Sequence, residues 1–358
     1  MKSVPLLLVV LIAIVGHGSG FSDSSQEHQQ NQVPAQEDQL LYGDDDDLLY
    51  PFGKEQGDKA TPVEDDGCSE QEHLQEEFNF FGKSYKCLYV CNNGLVSFNT
   101  PVSQYTPDAF PLTEGQKFIA PFWGDSDIDL GGDVHHRETK DPRILQRITD
   151  DMAKHLPSLH YKAKWAYIVT WYEMVFYGAA VKKRNTFQAV LTSDGYQYFV
   201  IMNYKKIEWT TGTASEGDPD TGLGGTPAQA GFNSGDEINY FNIPGSRTNE
   251  VLKITSTSNV NYPGRWIFQV DHLDAPGGCI FQAKFASEGV PFWKESTCST
   301  KCLCQGKTVT CVSEVCPPSS TCELLGSFFT CKVQKEPEQE PEKEPEQEPE
   351  QEPEKTCL

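Results

Sequence analysis

The positions of the cysteines constrain what this chain can fold into more than any other feature. Three of the 12 cysteines, Cys68, Cys87 and Cys91, lie close together, and the other nine lie between Cys279 and Cys357. In an oxidising compartment, an even number of cysteines pairs most simply into disulfides, and 12 cysteines would make six. The dense C-terminal set therefore predicts a small module that is held together by disulfides and has little apolar core of its own.

The first 20 residues indicate that the chain enters such a compartment. Lys2 gives a basic start, the run Val4–Val15 is apolar apart from Pro5, and small residues follow at Gly16–Gly20. This is the three-part pattern of a secretory signal peptide. The alternative, a membrane anchor, is disfavoured because the run is shorter than the roughly 20 apolar residues that span a bilayer. We predict a signal peptide at residues 1–20 and a secreted, extracellular protein that does not insert into membranes.

Acidic charge is concentrated near the two ends of the chain. The sequence has 29 Lys and Arg against 52 Asp and Glu, a net charge of −23, which argues against nucleic acid as a partner because such binding requires excess basic residues. Residues 21–67 carry −11 and residues 335–358 carry −7, so residues 68–334 carry an ordinary −6 once Lys2 is counted.

Both acidic ends are predicted to be disordered. Residues 21–67 are rich in Gln, Glu, Asp, Gly and Pro. We assign no role to the apolar patch Leu48–Phe52 within them, since isolated exposed apolar residues are common; the alternative is a docking spot. Residues 335–358 repeat Glu and Pro, with Pro at every fourth position, which excludes a regular helix and favours an extended, solvated tail.

The middle of the chain has the pattern of a β-rich domain. Asn93-Gly94 stands between the apolar runs Leu88–Val90 and Leu95–Phe98, which is the strongest short signal for a hairpin. Later runs rich in aromatic and β-branched residues predict strands at Trp165–Trp171, Thr186–Leu191, Tyr198–Tyr204, Ile207–Thr210 and Arg265–Val270. These runs are apolar on both faces, which is typical of a sheet buried between layers.

One helix is predicted between the strands. Asp141 is a suitable N-cap, and Pro142 fits the first helical position. Apolar residues then recur at helical spacing from Ile144 to Leu156, and Pro157 ends the run. We predict that this apolar stripe packs on the sheet. The fold class is therefore mainly β and antiparallel, with at least one packed helix.

Six stretches of the middle segment keep the order and residues of one known family. They are Ile119–Asp127, Val134–Thr139, Thr186–Gly195, Asn203–Gly212, Ala230–Asn233 and Pro263–Asp271. Together they resemble the nidogen extracellular domain, called NIDO, which occurs in nidogen, alpha-tectorin and related matrix and mucin-type proteins. The resemblance implies a NIDO domain with its N-terminal hairpin region at residues 68–275, with the best match at 118–271, and an alpha-tectorin-like order of modules.

The cysteine spacing after this domain resembles a von Willebrand type C or trypsin-inhibitor-like-associated module at residues 279–334. Longer members of the family continue into von Willebrand type D and zona pellucida regions, to which the resemblance does not extend. The cysteines predicted to form disulfides are Cys68, Cys87, Cys91, Cys279, Cys298, Cys302, Cys304, Cys311, Cys316, Cys322 and Cys331.

Strand geometry limits how the first cysteines pair. In an extended strand, the Cα atoms of Cys87 and Cys91 would be about 13 Å apart, whereas a disulfide tolerates at most roughly 7 Å. We therefore predict that Cys68 and Cys279, which bracket the domain in sequence, pair with these two cysteines in an order that the sequence leaves open.

The remaining cysteines are seven between Cys298 and Cys331, together with Cys357. Either Cys357 folds back to complete the module, or it forms an intermolecular disulfide. We favour the second, because a self-repelling acidic tail resists closing a loop. A disulfide-linked dimer is therefore expected.

The best candidate for a metal site is an Asp-rich loop. Asp125, Asp127, Asp129 and Asp133 alternate along it and could direct several oxygens at Ca²⁺. The loop lacks the Gly and Glu that an EF-hand requires at its positions 6 and 12. We favour the alternative, an Asp-rich turn whose side chains cap backbone amides. No other cofactor is expected.

No motif of an enzyme is found. The sequence has no Gly-x-Ser-x-Gly, no His-Glu-x-x-His and no phosphate-binding loop. His135 and His136 are neighbours on a strand and would face opposite ways, so they are expected to pack rather than to bind one ion.

We therefore expect a non-enzymatic, secreted extracellular matrix protein. The resemblance implies a role in cell–matrix adhesion or matrix organisation through contacts with matrix or cell-surface proteins. Two alternatives remain: a protease inhibitor that acts through the Cys-rich module, and an acidic secreted protein that binds calcium or mineral.

Overall fold

The computed structural model describes residues 48–333, which fold into three β-sheets and one α-helix, α1 (Pro142–His155). The mainly β, antiparallel class predicted from the sequence is confirmed. The predicted signal peptide, residues 21–47 and the Glu-Pro tail lie outside the described residues. The strands are β1 (Lys59–Ala60), β2 (Glu72–Phe80), β3 (Lys83–Cys91), β4 (Leu95–Ser97), β5 (Phe118–Trp123), β6 (Asp133–Thr139), β7 (Trp165–Met174), β8 (Asn185–Ser193), β9 (Tyr198–Lys206), β10 (Gln229–Asn233), β11 (Tyr240–Asn242), β12 (Arg265–Gln269), β13 (Gly278–Phe281), β14 (Lys284–Ser287), β15 (Pro291–Trp293), β16 (Thr300–Gln305), β17 (Thr308–Ser313), β18 (Ser320–Leu325) and β19 (Phe328–Val333).

The first sheet has six strands in the order β1-β6-β7-β8-β9-β12, and each strand is antiparallel to its neighbours. The predicted strands at Trp165–Trp171, Thr186–Leu191, Tyr198–Tyr204 and Arg265–Val270 are confirmed as β7, β8, β9 and β12. Strands β7, β8 and β9 are buried almost throughout, as their apolar sequence on both faces indicates.

The strand predicted at Ile207–Thr210 is wrong, because one side chain binds this backbone. The Oδ1 of Asn185 accepts hydrogen bonds from the amides of Glu208 (2.8 Å) and Trp209 (3.3 Å), and its Nδ2 donates to the Trp209 carbonyl at 3.0 Å. Backbone groups that are bound in this way do not form a ladder with a neighbouring strand.

The second sheet has eight strands in the order β13-β14-β11-β10-β5-β4-β3-β2. The hairpin predicted around Asn93-Gly94 joins β3 to β4 and is confirmed. Gly94 has φ 88°, and a Cβ there would lie 1.9 Å from the carbonyl oxygen of Phe122, so no other residue fits this turn. Within this sheet β14 runs parallel to β11, whereas the other pairs are antiparallel.

The main core lies between the first two sheets. Along β7, the side chains of Tyr167, Val169 and Trp171 belong to this core, whereas Ala166 and Ile168 belong to a second core under α1. This alternation follows from the two-residue period of a strand. The helix therefore covers the outer face of the six-stranded sheet.

Helix α1 is confirmed with the predicted start. The Asp141 side chain caps it by accepting a hydrogen bond from the backbone amide two residues later, at 2.8 Å. Ile144, Ile148 and Met152 are the buried residues of the helix and form the stripe that contacts the sheet.

The prediction of disorder for residues 21–67 is wrong for residues 48–67, which we call the N-terminal strap. Tyr50 is fully buried in the layer between α1 and the six-stranded sheet. The Tyr50 amide donates to Gln188 Oε1 at 2.9 Å, and Gln188 Nε2 donates to the Tyr50 carbonyl at 2.9 Å. The polar composition of the whole segment hides this short apolar anchor.

Two arginines hold the same strap. Arg265 is 1% exposed, donates to the Leu48 carbonyl at 2.7 Å and forms an ion pair with Asp151 at 3.0 Å. Arg137 donates to the Pro51 carbonyl at 2.8 Å. Further along, β1 pairs with β6 and adds an edge strand to the first sheet.

The third sheet contains β15 to β19 in the order β17-β16-β15-β19-β18. A small core between this sheet and the β13–β14 hairpin consists of Cys279, Ala286, Phe292, Cys302, Cys304 and Phe328. The module boundary predicted at residue 279 falls inside the eight-stranded sheet, because the hairpin β13–β14 extends that sheet through pairing of Asn242 with Lys284. The separate disulfide-rich sheet therefore begins only at β15.

Five disulfides link cysteines of the described residues: Cys68–Cys91, Cys279–Cys304, Cys298–Cys322, Cys302–Cys311 and Cys316–Cys331. The prediction that Cys279 pairs with Cys87 or Cys91 is wrong, because β13 lies against β16 and brings Cys304 to Cys279. The predicted disulfide of Cys87 is also wrong: this residue is half-buried and unpaired. Cys357 lies outside the described residues.

Candidate functional site

The loop between β5 and β6 carries the aspartates that the sequence singles out. Asp125 is 2% exposed and Asp127 is 8% exposed. Asp127 Oδ1 accepts hydrogen bonds from the backbone amides of Asp129 at 2.9 Å and Leu130 at 3.3 Å. Asp127 thus caps backbone amides, while Oδ2 of the buried Asp125 has no hydrogen-bond partner among the described residues.

Two further aspartates, Asp65 and Asp66 of the N-terminal strap, lie beside this loop. Asn93 connects them: its Nδ2 donates to Asp66 Oδ1 at 2.8 Å, and its Oδ1 accepts from the Ser126 amide at 2.9 Å. In the part of the chain that the structure describes, the buried Oδ1 of Asp65 also has no hydrogen-bond partner. The sequence places these residues about sixty positions from the loop, and the strap brings them together.

Burial and like charge raise the pKa values of these carboxyl groups. Burial, followed by the charges of Asp66, Asp65 and Asp127, raises the pKa of Asp125 to about 7, although a backbone hydrogen bond from Ala214 acts in the opposite direction. Burial and the charges of Asp66, Asp127 and Asp129 raise the pKa of Asp65 to about 6. The pKa of Asp66 is also raised, chiefly by burial. These aspartates are thus close enough to repel one another.

The four residues predicted from the sequence as calcium ligands are not the four that the fold brings together. Asp125 and Asp127 belong to the cluster, and Asp129 is exposed at its edge. Asp133 is exposed at the start of β6, paired with Tyr172, and is not among the charges that act on Asp125 or Asp65.

The two adjacent histidines have separate packing roles. His135 lies 6.0 Å from the Phe52 ring, between ring centroids, and so contacts the strap. His136 is 1% exposed, stacks on Tyr167 and shares a hydrogen bond of 2.9 Å between Nδ1 and the Tyr167 hydroxyl. Burial lowers the pKa of His136, which favours the neutral ring.

A groove of about 650 Å³ lies where the two larger sheets meet the disulfide-rich sheet. One wall comes from the 3-10 turn Asn249–Thr255 and the loop that follows it, and the other comes from β14, β15 and the β18–β19 hairpin. Aromatic rings line its floor: Trp266, Phe285, Phe292, Phe328 and Phe329.

The groove offers apolar surface at its rim. Trp266 is 2% exposed, and its buried Nε1 has no hydrogen-bond partner among the described residues. At the rim, Val290 is 54% exposed and Leu325 is 66% exposed. An apolar side chain would therefore fit between the rim residues.

Comparison with known proteins assigns the chain to a family. The sequence model of the Nidogen-like domain matches residues 86–272, which is more than half of the chain. The chain belongs to the Nidogen-like domain family. The NIDO resemblance of the sequence is thereby confirmed. No solved structure shows a significant match.

Several proteins are similar to this chain over the same region. Alpha-tectorin of Mus musculus is 48% identical over 291 residues, which are 80% of this chain and 13% of that protein. Dendrite extension defective protein 1 of Caenorhabditis elegans is 31% identical over 228 residues, 63% of this chain and 18% of that protein. Nidogen-1 of Mus musculus is 30% identical over 239 residues, 62% of this chain and 19% of that protein. The chain thus spans less than a fifth of the length of each of these relatives.

This family membership agrees with the secreted, extracellular location expected from the sequence. Across residues 48–333, no helix has the length and apolar character needed to cross a membrane. Sequence reasoning missed the contribution of Asp65 and Asp66 and the groove beside Trp266, because both arise from contacts between distant segments. The adjacent aspartates Asp65 and Asp66 are recognisable in the sequence, but the sequence does not indicate which loop they contact.

Proposed function

We propose that this protein is a non-enzymatic component of the extracellular matrix that acts in cell–matrix adhesion or matrix organisation through protein–protein contacts. The observation that carries the proposal is membership of the Nidogen-like domain family over residues 86–272, together with 48% identity to alpha-tectorin. A rigid β domain with a disulfide-rich sheet attached to it suits a role in which one protein surface binds another.

The surface that supports such contacts best is the groove beside Trp266. Its exposed rim residues, Val290 and Leu325, form apolar surface on the outside of a chain whose net charge is −23, above a floor of largely buried rings. The partner that fits is an extended segment of another matrix protein. It would place an apolar side chain between the rim residues and against the rings below them.

Binding to immobilised matrix extract tests this proposal. Leu325→Asp adds a charge to the groove rim at an exposed position, so folding should be preserved. Val312→Asp is the matched control, because Val312 is 59% exposed on the same disulfide-rich sheet and does not line the groove. We expect saturable binding of the wild type and the control, and at least tenfold weaker binding of Leu325→Asp. Equal binding of all three proteins would contradict the assignment of the groove.

A disulfide-linked dimer is a further part of the proposal. Ten cysteines are paired within residues 48–333, so each described cysteine of the disulfide-rich sheet already has a partner, and Cys87 is the free cysteine of the described residues. An intermolecular disulfide through Cys357 would double the number of grooves in one molecule and so strengthen attachment to a matrix with many sites.

A further inference from the structure

The meeting point of the N-terminal strap and the β5–β6 loop has the character of a cation site. Asp125 is 98% buried; its carboxylate accepts a backbone hydrogen bond from Ala214, but Oδ2 has no hydrogen-bond partner among the described residues. Buried polar atoms are almost always paired, and an unpaired buried carboxylate oxygen is particularly unfavourable. Asp65 Oδ1 is a second buried and unpaired oxygen at the same place.

Hydrogen bonds fix the position of the strap carboxylates. Asn92 Nδ2 donates to the carbonyls of Pro62 at 3.1 Å and Glu64 at 2.7 Å, so the turn that carries Asp65 and Asp66 is held against the β3–β4 turn. The carbonyl of Asn92 accepts from Ser126 Oγ at 2.9 Å. The same two consecutive asparagines, Asn92 and Asn93, therefore bind the strap on one side and the residue after Asp125 on the other.

No positive charge of the described residues balances this cluster. The charged groups that act on Asp125 are Asp66, Asp65 and Asp127, and those that act on Asp65 are all aspartates as well. Several carboxylates close together in a partly buried place repel one another unless a cation or protons neutralise them.

We propose that a Ca²⁺ ion binds between Asp65, Asp66, Asp125 and Asp127 and fastens the N-terminal strap to the β5–β6 loop. All four ligands are carboxylates, which hard cations prefer. Asp66 and Asp127 each use Oδ1 for hydrogen bonds within the protein, so Oδ2 is the oxygen that each would offer to the ion. The flexible coordination of Ca²⁺ suits this asymmetric set better than the strict octahedron that Mg²⁺ requires.

Binding requires a small movement. No three carboxylates of the described residues have oxygens within 4.8 Å of one another, so the ion must draw them closer. The half-buried turn at Asp65 and Asp66 is the part that can move, whereas Asp125 is fixed in the interior. Calcium would therefore tighten the strap onto the domain, and the affinity would be that of extracellular modules, with a Kd of about 10⁻⁴ to 10⁻³ M.

The test is the stability of the full-length secreted protein in EDTA, in CaCl₂ and in MgCl₂. At a calcium concentration about ten times the Kd, the equilibrium constant for unfolding should fall by about tenfold, and the melting temperature should rise accordingly. Magnesium at the same concentration should have a much smaller effect. Protease cleavage within the strap should slow in calcium, which reports on the proposed movement directly.

Variants separate this site from other acidic residues. Asp125→Asn should abolish the calcium effect, and in EDTA it should be more stable than the wild type because the repulsion is relieved. The double change Asp65→Asn with Asp66→Asn tests the strap side and should also abolish the effect. Asp133→Asn, at the start of β6, is the matched control and should respond to calcium as the wild type does.

Two results would overturn the proposal. One is a melting temperature of the wild type that is the same in EDTA and in calcium up to 10 mM, about ten times the weakest expected Kd. The other is a calcium response that persists in Asp125→Asn, which would place the ion elsewhere, for example on the Glu-rich tail. Neither result depends on the groove beside Trp266, so the proposed function stands or fails separately.

Discussion

Replacing Tyr50 tests whether the N-terminal strap is part of the folded domain. Tyr50 is fully buried, with 0% of its surface accessible to solvent, and its hydroxyl donates to Asp151 Oδ2 at 2.6 Å. Removing a buried aromatic ring costs about 3–5 kcal/mol, so Tyr50→Ala should lower the free energy of unfolding by that amount. Tyr50→Phe removes only the hydroxyl, and we expect a loss of about 1–2 kcal/mol because Asp151 keeps its ion pair with Arg265.

Urea unfolding in an oxidising buffer, followed by tryptophan fluorescence, gives these free energies. Tyr196→Ala is the matched control, since Tyr196 is 83% exposed and its loss should change stability by less than about 0.5 kcal/mol. If Tyr50→Ala and Tyr196→Ala have the same stability, the strap is not packed on the domain and the reasoning is refuted.

Three further predictions concern the core, the pH response and the cysteines. Trp266→Ala removes a side chain that is 2% exposed and should lower the free energy of unfolding by about 3–5 kcal/mol, measured as a lower unfolding midpoint and reduced secretion. Normal secretion with unchanged stability would contradict the burial of Trp266. Burial lowers the pKa of His136 below its ordinary 6.5, so the unfolded chain takes up a proton more readily, and the free energy of unfolding should decrease as the pH falls below about 6.5. His136→Gln should lose less stability than the wild type between pH 7 and pH 5. Identical pH profiles of the two proteins would show that His136 does not contribute to the pH dependence. On a non-reducing gel, the expected dimer should disappear in Cys357→Ser and persist in Cys87→Ser; a dimer that is lost only in Cys87→Ser would assign the bridge to Cys87 instead.

The elements that the sequence predicted correctly are those determined by local pattern. The run Trp165–Trp171 is a strand because aromatic and β-branched residues occupy both of its faces, and helix α1 begins at Pro142 because the Asp141 cap and the apolar spacing agree. Asn93-Gly94 predicts its turn because the turn requires a positive φ. These features need no knowledge of the rest of the chain.

The packed N-terminal strap is not predicted from the sequence, because the composition of residues 21–67 as a whole obscures the short apolar segment within them. Residues 21–67 are polar as a whole, yet they include Tyr50, whose ring is fully buried. The Leu48 carbonyl accepts a hydrogen bond from Arg265, which lies more than two hundred positions later in the sequence. The apolar patch at residues 48–52 was visible in the sequence. Its role depends on a partner that only the folded sheet brings near.

The acidic cluster and the disulfides illustrate the same limit. The spacing of aspartates in one loop predicts four ligands, Asp125, Asp127, Asp129 and Asp133. Asp133 lies instead at the start of β6, and the spacing cannot include the distant Asp65. Strand geometry excluded a bond between neighbouring cysteines on β3, but the partner of Cys279 depends on how β13 meets β16. Contacts between distant segments decide both cases.

The most direct test of the central claim is where the protein resides after secretion. Cells that secrete it should be cultured until they deposit matrix, and the protein should then be measured in the medium and in the detergent-insoluble matrix. The proposed function predicts that the wild type and Val312→Asp accumulate in the matrix, whereas Leu325→Asp stays in the medium. Wild-type protein that remains soluble in the medium, in the same proportion as Leu325→Asp, would contradict the proposal that this chain acts by binding matrix proteins through its groove.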